Sequence, residues 1–175
     1  MTDFKDITKQ RRSQREFAPQ EMDGTELEAV LRAALMSPTS KGRKEWQFVA
    51  IDDKATIDKL ADCKEHGSHF IRHAPVVVAV CGRPAADDCW IEDCAIAAVT
   101  MQYQAEELGL ATCWVQVRGR SLADGTPSEQ VVGGILGLPA DVTPLCLIAI
   151  GHGEATCEPH DEDDLRWENI HINQY

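Results

Sequence analysis

A sandwich of helices packed on a small sheet, in the α+β or α/β class, is the fold this sequence predicts. Two observations carry it. Four short apolar runs have strand character: Trp46–Ile51, Pro75–Val80, Thr112–Val117 and Thr143–Ile150. Between the second and third runs, Asp88–Leu108 repeats apolar residues every three or four positions, at Ile91, Cys94, Ala98, Met101, Ala105 and Leu108. A third observation narrows the class. The only glycine-dense stretch, Gly133-Gly134-Ile135-Leu136-Gly137, is not a G-x-G-x-x-G turn and sits inside a helix-like segment. A bound phosphate is therefore not held by a Rossmann turn or a P-loop.

Each element has a local cause. A first helix is expected over 3–10, opened by Thr2 or Asp3. Asp23-Gly24-Thr25-Glu26 has capping-box spacing, and Leu27, Val30, Leu31, Ala34 and Leu35 then share one helical stripe. Ser37-Pro38 ends that helix, because a residue before proline avoids the helical region. Thr39–Glu45 is polar and reads as a loop, and a short helix is expected over 54–62. Pro75–Val80 is valine-rich and compact, as in a strand buried on both faces. The small residues of 88–108 suit tight burial, and Gly109 is placed as that helix's terminator. Ser128 is expected to cap a short helix ending before Gly137 and Pro139. Segment 154–175 is acidic; Trp167, Ile170, Ile172 and Tyr175 are its sizeable apolar groups.

Composition excludes several functions. The 175 residues carry 17 Lys+Arg against 29 Asp+Glu, a net charge of −12, which argues against nucleic acid and anionic membranes as partners. No apolar run approaches the roughly 18 residues that a membrane helix needs. The start, MTDFKDITKQ, has no apolar leader. Seven cysteines, an odd number without C-x-x-C spacing, point to reduced thiols and a cytoplasmic protein. Cys157 with His160, or Cys89 with Cys94, lacks the second ligand pair a zinc site needs.

Against this acidity stands Arg11-Arg12-Ser13-Gln14-Arg15. Guanidinium groups present a planar fork of donors suited to phosphate, and a serine hydroxyl adds another. The run reads either as solvated charge ending the first helix or as a site for one small anion.

Four segments carry a wider resemblance. RRSQREF (11–17) is similar to an R-R-S-x-R-x-F motif. SPTSKGRKEWQFVAID (37–52) is similar to a proline-serine loop leading into a Trp-containing strand. WIEDCAIAAVTMQYQAEELGLATCWVQV (90–117) matches an Asp- and Ala-rich central helix followed by Gly-Leu and a strand. LGLPADVTPLCLIAIGHG (136–153) matches Gly-Leu-Pro, a last core strand and a glycine turn. In this order they resemble the nitroreductase family of FMN-dependent oxidoreductases.

The resemblance implies a single α+β domain over 1–175 with a mostly antiparallel sheet flanked by helices. It also implies an intertwined homodimer with FMN at the interface and 154–175 as an arm packing on the partner subunit. It places Arg11 and Arg12 at the FMN phosphate and ribityl chain, Ser13 near the phosphate or ring edge, and Arg15 at the pyrimidine end of the ring. Pro38, Thr39 and Ser40 would come from the neighbouring subunit. Val115, Gln116 and Val117 would line the isoalloxazine, and His152-Gly153 would lie near the phosphate. NADH or NADPH would be the electron donor and a nitroaromatic, quinone or enone the small-molecule acceptor. No side chain is singled out as catalytic, because the flavin performs the hard step; His66, His69 and His73 are read as surface groups. Two departures stand out. Gly42-Arg43-Lys44-Glu45 replaces the family's Asn-x-Gln-Pro before Trp46, and Arg166 is the only Lys or Arg in 154–175. A flavin store or redox sensor with little turnover, or another flavin reaction such as reductive dehalogenation, is the alternative.

Overall fold

The computed structural model describes residues 3–155 and 157–175. Helices α1 (Phe4–Gln10) and α2 (Gly24–Leu35) precede strand β1 (Gln47–Ile51). Then follow α3 (Lys54–Ala61), β2 (Val76–Gly82), α4 (Trp90–Glu107), β3 (Ala111–Gln116), α5 (Ser128–Leu136) and β4 (Thr143–Gly151). The four expected strands and the long helix are all present, within a residue or two of their predicted limits.

The strands form one sheet in the order β1-β2-β4-β3, and every neighbouring pair is antiparallel. This settles the class as α+β. The central strands β2 and β4 are buried on both faces, which is why they read as unbroken apolar runs. Alternation along them feeds two cores. Val76, Val78, Val80, Leu145, Ile148 and Ile150 pack under α2 and α4. Val77, Ala79, Cys81, Leu147 and Ala149 pack under α3, α5 and the turn His69–His73.

Sequence causes are visible at the helix ends. Asp3 caps α1 by accepting the Lys5 N–H, and the alternative cap, Thr2, lies outside the described residues. Asp23 and Glu26 form the expected reciprocal capping box on α2. Helix α4 buries Cys94, Ala97, Ala98, Met101 and Ala105, and Gly109 beyond it has a φ of 75°. Ser128 differs from expectation. Pro127 occupies the cap position, so Ser128 is the first helical residue, and its buried hydroxyl meets no partner among the described residues.

Five cysteines (Cys63, Cys81, Cys94, Cys113 and Cys146) are buried and free. Burial pushes the Cys81 and Cys94 thiols up to about 12, so both pack as neutral small hydrophobes. No helix among the described residues is long and apolar enough to cross a membrane.

Candidate functional site

Segment 11–18 leaves α1 and runs in extended form across the start of β3 and past the end of β4. Ser13 pairs with Thr112 in parallel, and the Gln14 N–H donates to the Thr112 carbonyl at 2.9 Å. Phe17 pairs with Gly153, the Ala18 N–H donates to the His152 carbonyl at 2.9 Å, and the Glu154 N–H donates to the Glu16 carbonyl at 3.2 Å. The glycines flanking His152 permit this approach. A Cβ on Gly151 would lie 2.4 Å from Pro75 Cδ, and one on Gly153 would lie 2.7 Å from Gln14 Oε1.

This routing brings Arg11 and Arg15 close enough to Cys113 for their charges to act on its thiol. Burial pushes the Cys113 thiol up, while Arg15, a hydrogen bond with Ser13, Lys64 and Arg11 all pull it down. Arg15 also lies over the Phe70 ring, 5.9 Å from its centroid. Arg120 joins from the loop after β3, and its charge helps lower the half-buried Lys64, whose main cause is burial. Lys64 and Arg120 were not legible in the sequence. Lys64 lies about fifty residues before Cys113 along the chain and Arg120 shortly after it, in segments with no motif of their own.

The remaining expected residues divide. Arg12 turns to the C-terminal segment, with Nη1 donating to the carbonyls of Glu158 at 2.5 Å and Pro159 at 3.5 Å. His152 directs Nε2 to Glu26 Oε2, 3.6 Å away. Val115 and Val117 are buried. The Val117 N–H donates to the Leu145 carbonyl at 3.2 Å, so Val117 faces β4. Thr112 faces the opposite way, toward Gln14, and the two-residue period puts the main-chain groups of Trp114 and Gln116 on that same outer edge. The Gln116 side chain accepts from Trp114 Nε1 at 2.9 Å and donates to the Arg118 carbonyl at 2.8 Å.

Pro38, Thr39 and Ser40 lie elsewhere. The Ser40 N–H donates to the Asp93 carboxyl at the start of α4, whereas Arg11 lies near Glu106 at the end of that helix. Asp93 and Glu106 are separated by about 20 Å of helix. One protomer therefore does not bring the two halves of the expected site together. The altered loop also finds its explanation here. Arg43 donates to Asp87 at 3.1 Å and Asp88 at 2.8 Å, and Glu45, in place of the family's Pro, faces Arg83 at 3.5 Å, so the loop is engaged within the subunit. The loop uses positive φ at Lys41, Gly42 and Lys44 to make its turn.

His66 pairs with Glu65, His69 pairs with Asp62, and both are exposed, as is His73. Asp87, Asp88 and Cys89 have metal-like spacing among the described residues, but Arg43 already occupies the two carboxylates. The C-terminal segment is tied down at its start. Besides Arg12, the His160 N–H donates to the Lys9 carbonyl at 2.9 Å. Farther on, Trp167 is 67% and Ile172 81% exposed.

The subunit is of the α+β class, with helices covering both faces of one antiparallel sheet. The family is set by comparison. A profile of the Nitroreductase family matches residues 8–65 and 63–152, and the chain belongs to that family. It is similar to the FMN-dependent nitroreductase of Clostridium difficile, with a TM-score of 0.95, 34% identity, and 97% and 98% of the two chains covered. A Methanothermobacter thermautotrophicus protein, described by inference as an NADH dehydrogenase/NAD(P)H nitroreductase, is 25% identical over 99% of this chain and 88% of its own length. The nitroreductase with bound FMN from Bacteroides fragilis shares the fold, with a TM-score of 0.78, 23% identity, and 99% and 100% of the two chains covered.

Proposed function

We propose that this protein is an FMN-dependent oxidoreductase that takes hydride from NADH or NADPH and passes it to a small acceptor such as a nitroaromatic, quinone or enone. The observation that carries this reading is the convergence of Arg11, Arg15 and Lys64 on Cys113, with Arg120 acting on Lys64, in a protein of net charge −12. The donor set fits a flavin mononucleotide. Guanidinium groups suit its phosphate. The absence of a side chain at Gly153 lets Gln14 and Ala111 approach it closely. The outer edge of β3 presents main-chain N–H groups beside the cations. Family membership supports the same assignment.

In this reading Arg11 and Ser13 hold the phosphate end. Arg12 contributes there only to the extent that it releases the Glu158 and Pro159 carbonyls. Arg15 lies at the pyrimidine end, where a cation stabilises negative charge on the reduced ring. Val115, Gln116 and Val117 form the ring wall, with side chains fixed by the core and outer-edge N–H groups supplied by this strand. The His152-Gly153 turn closes the phosphate side. A flavin held there would supply alternate hydride acceptance and donation, the chemistry of a ping-pong sequence. The chain's part is to orient, to exclude water and to fix the charge around the ring.

Pro38, Thr39 and Ser40 act from a second copy of the chain. Two features support a homodimer. The half-sites are separated along α4, and the α1–α2–α4 face leaves Phe4, Leu35, Met36, Ile96 and Leu108 exposed. The exposed Trp167, Ile170, Ile172 and Tyr175 give 154–175 the anchors of an arm across the partner. A flavin store would be favoured if the Gly42–Glu45 change disabled the loop; hydrogen bonds from the Ser40 N–H to Asp93 and from the Lys44 N–H to Thr39 Oγ1 instead hold Thr39 and Ser40. The test is flavin stoichiometry by absorbance after gel filtration with added FMN. One FMN per chain in a dimer-sized peak is expected. A colourless protein that takes up no FMN contradicts the proposal.

A further inference from the structure

Three cations, Lys41, Arg43 and Lys44, follow Ser40 within four positions, and the structure gives each a different setting. Arg43 is committed: its Nη1 donates to the Ala86 carbonyl at 3.3 Å, Asp87 Oδ1 at 3.1 Å and Asp88 Oδ1 at 2.8 Å. Lys44 lies away from α4. It lines a cavity of about 400 Å³ between α2 and β1, with Leu31, Leu35, Trp46 and Phe48. Lys41 directly follows Ser40. Its one ion pair among the described residues is to Asp88 Oδ1 at 3.8 Å, the oxygen that Arg43 already holds at 2.8 Å. The two side chains are 65% and 70% exposed, and a long contact between such groups contributes little. The Lys41 ammonium is therefore free to meet a ligand at small cost.

The main chain beneath that ammonium is fixed. The Ser40 N–H donates to the Asp93 carboxyl at 2.9 Å. The Gly42 N–H donates to the Thr39 carbonyl at 3.2 Å, and the Arg43 N–H to the Ser40 carbonyl at 3.1 Å. Lys41 itself has a φ of 54°, which is uncommon for a residue with a side chain. A tight turn pinned on both sides thus carries a mobile, weakly paired positive charge.

We propose that Lys41 selects the electron acceptor by charge, favouring one with an anionic substituent, such as a nitroaryl carboxylate, over its neutral analogue. The inference rests on the reading that Pro38–Ser40 cover the flavin of a partner subunit. Under that reading, the residue after Ser40 stands at the rim of the space in which an acceptor stacks. The acceptor's ring would lie on the flavin and its carboxylate would meet the ammonium. Arg11 and Arg15 do not compete for that carboxylate, because the cofactor's phosphate and ring engage them. Lys41 binds and orients, and takes no part in moving electrons or protons. The preference runs against the field of the whole chain. A net charge of −12 repels anions at long range, so a preference for an anion needs a local cation.

The FMN-loaded protein is compared with Lys41→Gln, Lys41→Glu and, as a control in the same loop, Lys44→Gln. The acceptors are para-nitrobenzoate and para-nitrobenzamide at low ionic strength. Binding of benzoate and benzamide to the oxidised protein is measured in parallel by calorimetry. Lys41→Gln should lower kcat/KM for nitrobenzoate about fivefold and weaken benzoate to match, the upper range for an exposed ion pair. Lys41→Glu should lower both by roughly twentyfold, since it adds repulsion to the lost attraction. Both amides should change little, and Lys44→Gln should behave as the wild type. Salt at about 0.5 M should erase the difference between wild type and Lys41→Gln. A carboxylate-to-amide ratio that is the same in the wild type and the Lys41 variants overturns the proposal. So does an equal shift in Lys44→Gln, which would make the effect a property of the loop's overall charge. Protein that takes up no FMN contradicts the cofactor reading and this proposal together, whereas FMN-loaded protein with an unchanged ratio contradicts this proposal alone.

Discussion

Segment 11–18 and loop 38–44 both follow a helix, both carry arginine, and both belong to the proposed cofactor site, yet they are held in opposite ways. The first is fixed by main-chain hydrogen bonds to Thr112, His152 and Glu154. The second is fixed by carboxyl groups, with Ser40 on Asp93 and Arg43 on Asp87 and Asp88. Main-chain bonds do not titrate, so the cationic wall keeps its shape at any pH at which the sheet is folded. Carboxyl contacts do titrate, so the covering loop carries the pH sensitivity. A rigid wall and an adjustable cover suit a site that must keep one cofactor while exchanging two substrates on it.

The comparison is broken most severely at Gly151. Gly151→Ala would drive a Cβ into the Pro75 ring. Overpacking of this kind costs about 2–3 kcal/mol, and the melting temperature should fall by roughly 5–10 °C. An unchanged melting curve would mean that close packing there does not hold the wall. Arg11→Ala comes next. Loss of a charge-assisted phosphate contact is worth about 1.5–3 kcal/mol, so the FMN Kd should rise about tenfold to a hundredfold by fluorescence titration. Arg15→Ala should retain flavin but lower its reduction potential by on the order of 30 mV, equivalent to ~1.4 kcal/mol for two electrons. A potential equal to that of the wild type removes Arg15 from the ring.

Arg12→Ala sharpens the comparison within the wall. Arg12 holds the Glu158 and Pro159 carbonyls, a contribution of about 1 kcal/mol. Its loss should speed proteolysis of the segment after 157 and weaken FMN binding less than Arg11→Ala does. Equal weakening by the two substitutions would place Arg12 on the phosphate instead of on the arm.

How far the sequence speaks depends on the range of the interactions. Helix α4 and strand β2 were legible because their burial is written in local periodicity, three to four residues in one and an unbroken valine run in the other. The Asp23 capping box was legible for the same reason, since its partners lie three residues apart. Ser128 was misread because Pro127, which can occupy a cap position without donating a side-chain bond, leaves the serine one step inside the helix. The role of Arg12 was illegible because its partners are carbonyls 146 and 147 positions away. The Arg11–Arg15 run was visible as charge, but its companion Lys64 needed the fold to bring it to Cys113.

The central claim is that the chain carries electrons through FMN, and anaerobic mixing tests it most directly. The FMN-loaded protein is mixed with NADH and, separately, NADPH, while flavin absorbance is followed, and an acceptor is then added. The account predicts rapid bleaching with at least one nicotinamide and full recovery of the band with a quinone or nitroaromatic. A flavin band that neither nicotinamide bleaches would contradict it.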